Sequence, residues 1–165
     1  MTRIPGWMAP LCIAVLAGCS GGPGGDDGAV TVGFSQVGAE SEWRTANTRS
    51  IKESLAEPAF RLKFSDGQQK QENQIKALRS FIAQRVDVIA FSPVVETGWD
   101  TVLAEAKAAG IPVVLTDRAV DVADESLYVT LIGSDFVEEG RRAARWLMAD
   151  AAGRSGPIRV VELQG

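Results

Sequence analysis

The sequence contains no histidine, and its two cysteines, Cys12 and Cys19, both fall within the first twenty residues. A histidine-based triad, a histidine-ligated zinc site, a cysteine nucleophile and a disulfide are therefore excluded from the body of the chain. No metal or cofactor is expected. What remains as polar chemistry is carboxylates, amides, hydroxyls, lysine and arginine, a set suited to hydrogen-bonded recognition. A basic block is also missing: 17 Lys and Arg against 21 Asp and Glu leave a net charge of −4, which argues against a nucleic-acid partner. The apolar run near the N-terminus is shorter than the ~20 residues that a membrane-crossing helix needs.

What is present fits a globular chain, with 45% hydrophobic and 23% charged residues and, within 165 residues, room for one folded domain. Arg3 followed by the apolar stretch from Trp7 to Ala17, broken by Pro10, reads as a secretory signal. Leu16-Ala17-Gly18-Cys19 resembles the bacterial lipobox, whose cysteine receives a lipid and becomes the mature N-terminus. Residues 20–28 hold five glycines, one proline and two aspartates, the composition of a flexible tether. The expected organisation is a lipoprotein signal peptide over residues 1–19, a tether over 20–28 and a folded lobe over 29–165. The expected location is outside the cytoplasm, on the outer face of the cell membrane or in the periplasm.

From Ala29 onward, short β-branched runs alternate with segments of helical spacing, the pattern of βαβ units around a parallel sheet. Six strands are predicted, at residues 30–35, 60–64, 86–91, 112–115, 128–132 and 158–163, with helices over 43–55, 70–85, 99–109 and 136–149. The second helix is expected to turn Ile75, Leu78 and Ile82 inward and Lys76, Arg79 and Gln84 to water. The fold class is α/β, a doubly wound parallel sheet in three α/β/α layers. In such sheets ligands bind at the carboxyl ends of the strands. Five polar clusters fall on that edge: Ser35-Gln36 through Arg44, Asp66 through Gln69, Ser92-Pro93, Thr116-Asp117-Arg118 and Ser134-Asp135.

The segment from Gly33 to Gly38 has the outer spacing of a phosphate-binding loop, but Ala39 and Glu40 follow where Lys and Ser or Thr are required, and an acid there repels phosphate. Asp117-Arg118 offers an acceptor beside a planar donor fork, suited to neighbouring sugar hydroxyls; a structural ion pair is the equal alternative. Trp43-Arg44 adds an aromatic face and a second guanidinium. Asp135 reads first as the N-cap of the last helix. Glu40, Asp66, Asp117 and Asp135 leave a carboxylate-dependent glycoside hydrolase as the enzymatic rival.

Three segments, Thr31 to Gly38, Asp66-Gly-Gln-Gln-Lys-Gln-Glu-Asn-Gln-Ile-Lys76 and Val160 to Gly165, resemble the galactofuranose-binding components of bacterial sugar ABC importers, within the ribose-binding-type periplasmic proteins. The resemblance implies a two-lobed binding protein, not an enzyme, of which this chain is the N-terminal lobe. It implies a monosaccharide lined by Glu40, Trp43, Arg44, Asp117 and Arg118, with Gln36, Ser92 and Asp135 as lesser candidates. It also implies a monomer whose partners are an ABC permease and, through it, an ATPase, with the membrane reached through the lipid on Cys19. A lobe that presents sugar to a membrane receptor kinase is the alternative. Glu42 and Phe136 depart from the family pattern, and one lobe alone is expected to bind sugar weakly.

Overall fold

Five of the six predicted strands form, and they pair into one fully parallel sheet. The computed structural model describes residues 28–162. The order along the chain is β1 (Val30–Gln36), α1 (Glu42–Ser54), β2 (Phe60–Asp66), α2 (Gln71–Ala83), β3 (Val88–Phe91), α3 (Asp100–Ala108), β4 (Val113–Thr116), a 3-10 turn (Glu125–Leu127), β5 (Thr130–Ile132) and α4 (Phe136–Ala151). The strands lie side by side as β2-β1-β3-β4-β5. Phe34 sits opposite Phe64 and Ala90, and Phe91 opposite Ser35 and Leu115, so alternate residues of each strand share a face.

On one face, Ile89, Phe91, Val113 and Leu115 are buried with Leu78 and Phe81 of α2 and Val102, Leu103 and Ala106 of α3. Trp99, wholly buried at the start of α3, sets its ring 4.9 Å from that of Phe91. Gly33 permits this packing, because a Cβ there would lie 2.6 Å from the Phe81 ring. Gly110, in the left-handed region at φ +71°, ends α3 as its sequence position predicts.

The opposite face is covered differently. The sequence of α1, EWRTANTRSIKES, has no apolar stripe, and the helix is tied down by polar side chains. The Gln36 amide donates to Asn47 and Thr48 at 2.9 and 3.0 Å, and the Lys52 ammonium lies 4.0 Å from the Phe64 ring centroid. Arg44, buried at 4% exposure, makes the remaining tie at the strand ends.

One expectation changes. The run 158–163 was expected as a sixth strand, yet residues 158–162 are not a strand, and Leu163 lies outside the described residues. Ile158, Val160 and Val161 are exposed, and among the described residues no strand pairs with them to complete a ladder. After β5, α4 leaves Phe136, Val137, Trp146 and Met148 exposed rather than laid on the sheet. The signal segment, Cys19 and the tether up to Asp27 lie outside the described residues.

Candidate functional site

The carboxyl ends of β1, β3 and β4 deliver three polar groups to one guanidinium. Ser41 caps α1 by accepting from the Arg44 backbone N–H at 3.1 Å, which fixes the first turn. That turn aims Arg44 across the strand ends. Its Nε donates to Glu40 at 3.3 Å, one terminal nitrogen to the Ser92 hydroxyl at 3.2 Å and the other to the Asp117 carboxylate at 2.8 Å. The guanidinium also lies 4.7 Å from the Trp43 ring centroid. A guanidinium presents its donors in a fixed plane, so three bonds of this kind hold it in one orientation.

Asp117 occupies the left-handed region, at φ +66°. Its N–H donates to the Ile132 carbonyl at 2.8 Å, the Arg118 N–H donates to the Thr116 carbonyl at 2.7 Å, and Gly133 leaves room for the Asp117 carbonyl, which would lie 3.0 Å from a Cβ at 133. This turn sends the Asp117 side chain toward Arg44 and leaves Arg118 half-exposed, with its Nε 3.9 Å from Asp117 and a terminal nitrogen donating to the Val94 carbonyl at 3.4 Å. Above these groups opens a cavity of about 630 Å³, whose walls include Trp43, Arg44, Val95, Asp117, Arg118 and Phe136. Trp43, 55% exposed, sets an aromatic face at the rim.

Of the residues singled out from sequence, Glu40, Trp43, Arg44, Ser92, Asp117 and Arg118 come together here. Gln36 does not: its amide is occupied by Asn47 and Thr48, while its carbonyl oxygen accepts from the Val37 N–H at 3.0 Å. Asp135 caps α4 by accepting from the Glu138 N–H at 2.9 Å. Asp66 accepts from the Gln68 N–H at 2.8 Å within its own turn. Each of the four carboxylates weighed as a hydrolytic acid or base is thus engaged, Glu40 and Asp117 by the same guanidinium. Sequence reasoning missed Gln74, which is fully buried behind the Ser92 loop. The signal was available, since Gln74, Ala77, Leu78 and Phe81 follow the i, i+3, i+4, i+7 spacing of a helix's inner face.

A sheet with polar groups gathered at its carboxyl edge, and a guanidinium fixed between acceptors beside an aromatic face, is the arrangement in which open α/β sheets hold small ligands. Residues 32–165 match the periplasmic binding protein domain, and the chain belongs to that family. It is 55% identical over 136 residues to the galactofuranose-binding protein of Escherichia coli (strain K12), covering 82% of this chain and 42% of that one. Among solved structures, a Mycobacterium smegmatis protein in complex with beta-D-fucofuranose is 62% identical, with a TM-score of 0.74 over 79% of this chain and 43% of that one. The binding component of the arabinose ABC transporter from Shewanella sp. ANA-3, bound to alpha- and beta-L-arabinofuranose, is 59% identical, with a TM-score of 0.71 over 75% of this chain and 41% of that one. The chain spans less than half the length of these relatives.

Proposed function

We propose that this chain is the sugar-binding part of the solute-binding component of an ABC importer, taking a monosaccharide in its furanose form, such as galactofuranose or arabinofuranose. The observation that carries this reading is the cleft at the strand ends, where Arg44, Asp117 and Arg118 stand beside the open face of Trp43. Adjacent ring hydroxyls of a sugar match a carboxylate acceptor flanked by guanidinium donors, and its C–H face matches the indole. The furanoses named for relatives at 55% to 62% identity support this ligand class. Bound sugar is passed to a permease driven by an ATPase, and no reaction takes place in the cleft. Export and a lipid on Cys19 place the chain at the membrane face where that permease opens.

Titration of the chain with L-arabinose, D-fucose and D-galactose, followed by heteronuclear NMR, tests the proposal. Binding is expected, with shifts at the Trp43 indole and the Asp117 amide that Asp117→Asn abolishes. Sugar that leaves Trp43, Arg44 and Asp117 unperturbed at the highest concentrations overturns it. For the anchor, growth of the natural host with labelled palmitate is expected to label the wild-type chain and not Cys19→Ala. An unlabelled wild-type chain would remove the lipid from this reading.

A further inference from the structure

We propose that Gln74 is a positioning residue of the sugar cleft, fixing Arg44 and Arg118 through the loop after β3 without touching ligand; this rests on the binding function proposed above. Gln74 lies on the inner face of α2 between apolar neighbours and has no exposed surface. A primary amide in such a place costs more than a leucine unless both its ends are hydrogen-bonded. Both are: Nε2 donates to the Ser92 carbonyl at 2.7 Å, and Oε1 accepts from the Val94 N–H at 2.9 Å. The amide therefore spans Pro93, which has no N–H of its own, and pairs with the backbone on either side of it as a neighbouring strand would.

The clamped segment is the one that holds the two cleft guanidiniums. The Ser92 hydroxyl accepts from Arg44, and the Val94 carbonyl accepts from Arg118. Gly67 makes room for the arrangement, since a Cβ there would lie 2.7 Å from Gln74 Cγ and 2.7 Å from the Gln36 carbonyl. One buried amide thus connects the covered face of the sheet to both donors in the cleft. A residue serving the core alone needs neither hydrogen bond, and an apolar side chain of similar length would pack in its place.

The test compares Gln74→Met, which keeps the length and loses both hydrogen bonds, with Gln74→Glu, which keeps an acceptor for Val94. Leu78→Val serves as a control for simple loss of packing on the same helix. The readouts are the Arg44 and Arg118 Nε–Hε signals without sugar, and affinity for L-arabinose by NMR titration. The expected result is altered Arg44 and Arg118 signals in both Gln74 variants and an affinity lowered about tenfold in Gln74→Met, with Leu78→Val leaving both unchanged. A folded Gln74→Met with wild-type arginine signals overturns the proposal. So does failure of both Gln74 variants to fold, which would make the residue an element of the core. If the wild-type chain binds no sugar, the function proposed above fails, while the sugar-free arginine signals still decide the positioning role.

Discussion

Replacing Arg44 with methionine removes the charge that Glu40 and Asp117 share while keeping most of the buried stem volume. Arg44 is 4% exposed, and its bonds to Asp117 at 2.8 Å and Glu40 at 3.3 Å are the charge-assisted ones. Breaking a fully buried ion pair by removing one partner costs about 3–5 kcal/mol, because the other charge is left uncompensated. Here the carboxylates keep some access to water, at 22% for Asp117 and 26% for Glu40, and Arg118 can swing toward Asp117. That access lowers the expected loss to about 2–3 kcal/mol. For a packed body of about a hundred residues, each kcal/mol moves the melting temperature by roughly 4–8 °C, so Arg44→Met is expected to melt about 10–20 °C below the wild type. Adding Asp117→Asn to that variant removes one stranded charge and is expected to restore about 1 kcal/mol, even though Asp117→Asn alone is destabilising. Thermal melts of the four proteins by circular dichroism complete the cycle. An Arg44→Met chain that melts within a few degrees of wild type, or a double variant no more stable than Arg44→Met, would refute the reasoning.

Two further outcomes follow from the packing and the surface. Trp99→Ala empties the largest wholly buried side chain and strands the Val95 carbonyl, which accepts from the indole N–H at 2.7 Å; the expected loss is about 3–5 kcal/mol in denaturant unfolding, and a loss below about 1 kcal/mol would contradict the assigned core. The Asp124 carboxyl is held below its ordinary range first by the Ser126 hydroxyl and then by the Ser126 N–H. Because the folded value is the lower one, this contribution to stability is present above the unfolded value near 3.8 and is lost as pH falls through the folded one. Ser126→Ala should raise the Asp124 titration midpoint in an NMR pH series, and an unchanged midpoint would assign the shift to something else.

The strands were legible where two helices cover them, because β3 and β4 are short continuous apolar runs with no competing reading. The run 158–162 is likewise rich in β-branched residues and is not a strand, since a strand exists through its neighbour and composition does not say which neighbour is present. The site was legible in part for a related reason. Trp43-Arg44 and Asp117-Arg118 stand at strand ends, and position along the chain was enough to place them on one edge. Which of two amides serves the cleft depends on pairings across the sheet. Gln36, at the end of β1, turns out to hold α1, while Gln74, in the first turn of α2, reaches the Ser92 loop. In the second helix Leu78 is buried and Ile75 and Ile82 pack partly buried against the core, as the spacing indicates, while the fully buried set also includes Gln74, Ala77 and Phe81. Gln74 stands in neither the inward nor the outward set read from the sequence, and spacing does not say what a polar side chain on the inner face pairs with.

The left-handed backbone at Asp117 narrows which sequences can occupy this cleft at all. Away from glycine, that conformation is visited most readily by asparagine and aspartate, and β-branched side chains are strongly disfavoured. A drifting sequence at position 117 is therefore filtered by main-chain geometry before any ligand is consulted, and aspartate and asparagine pass at the least cost. Chemical variation is left to positions with ordinary backbone, such as Trp43 and Phe136 on the walls. Those walls can change in size and polarity freely, while the acceptor beneath them is held to the few residue types its backbone accepts.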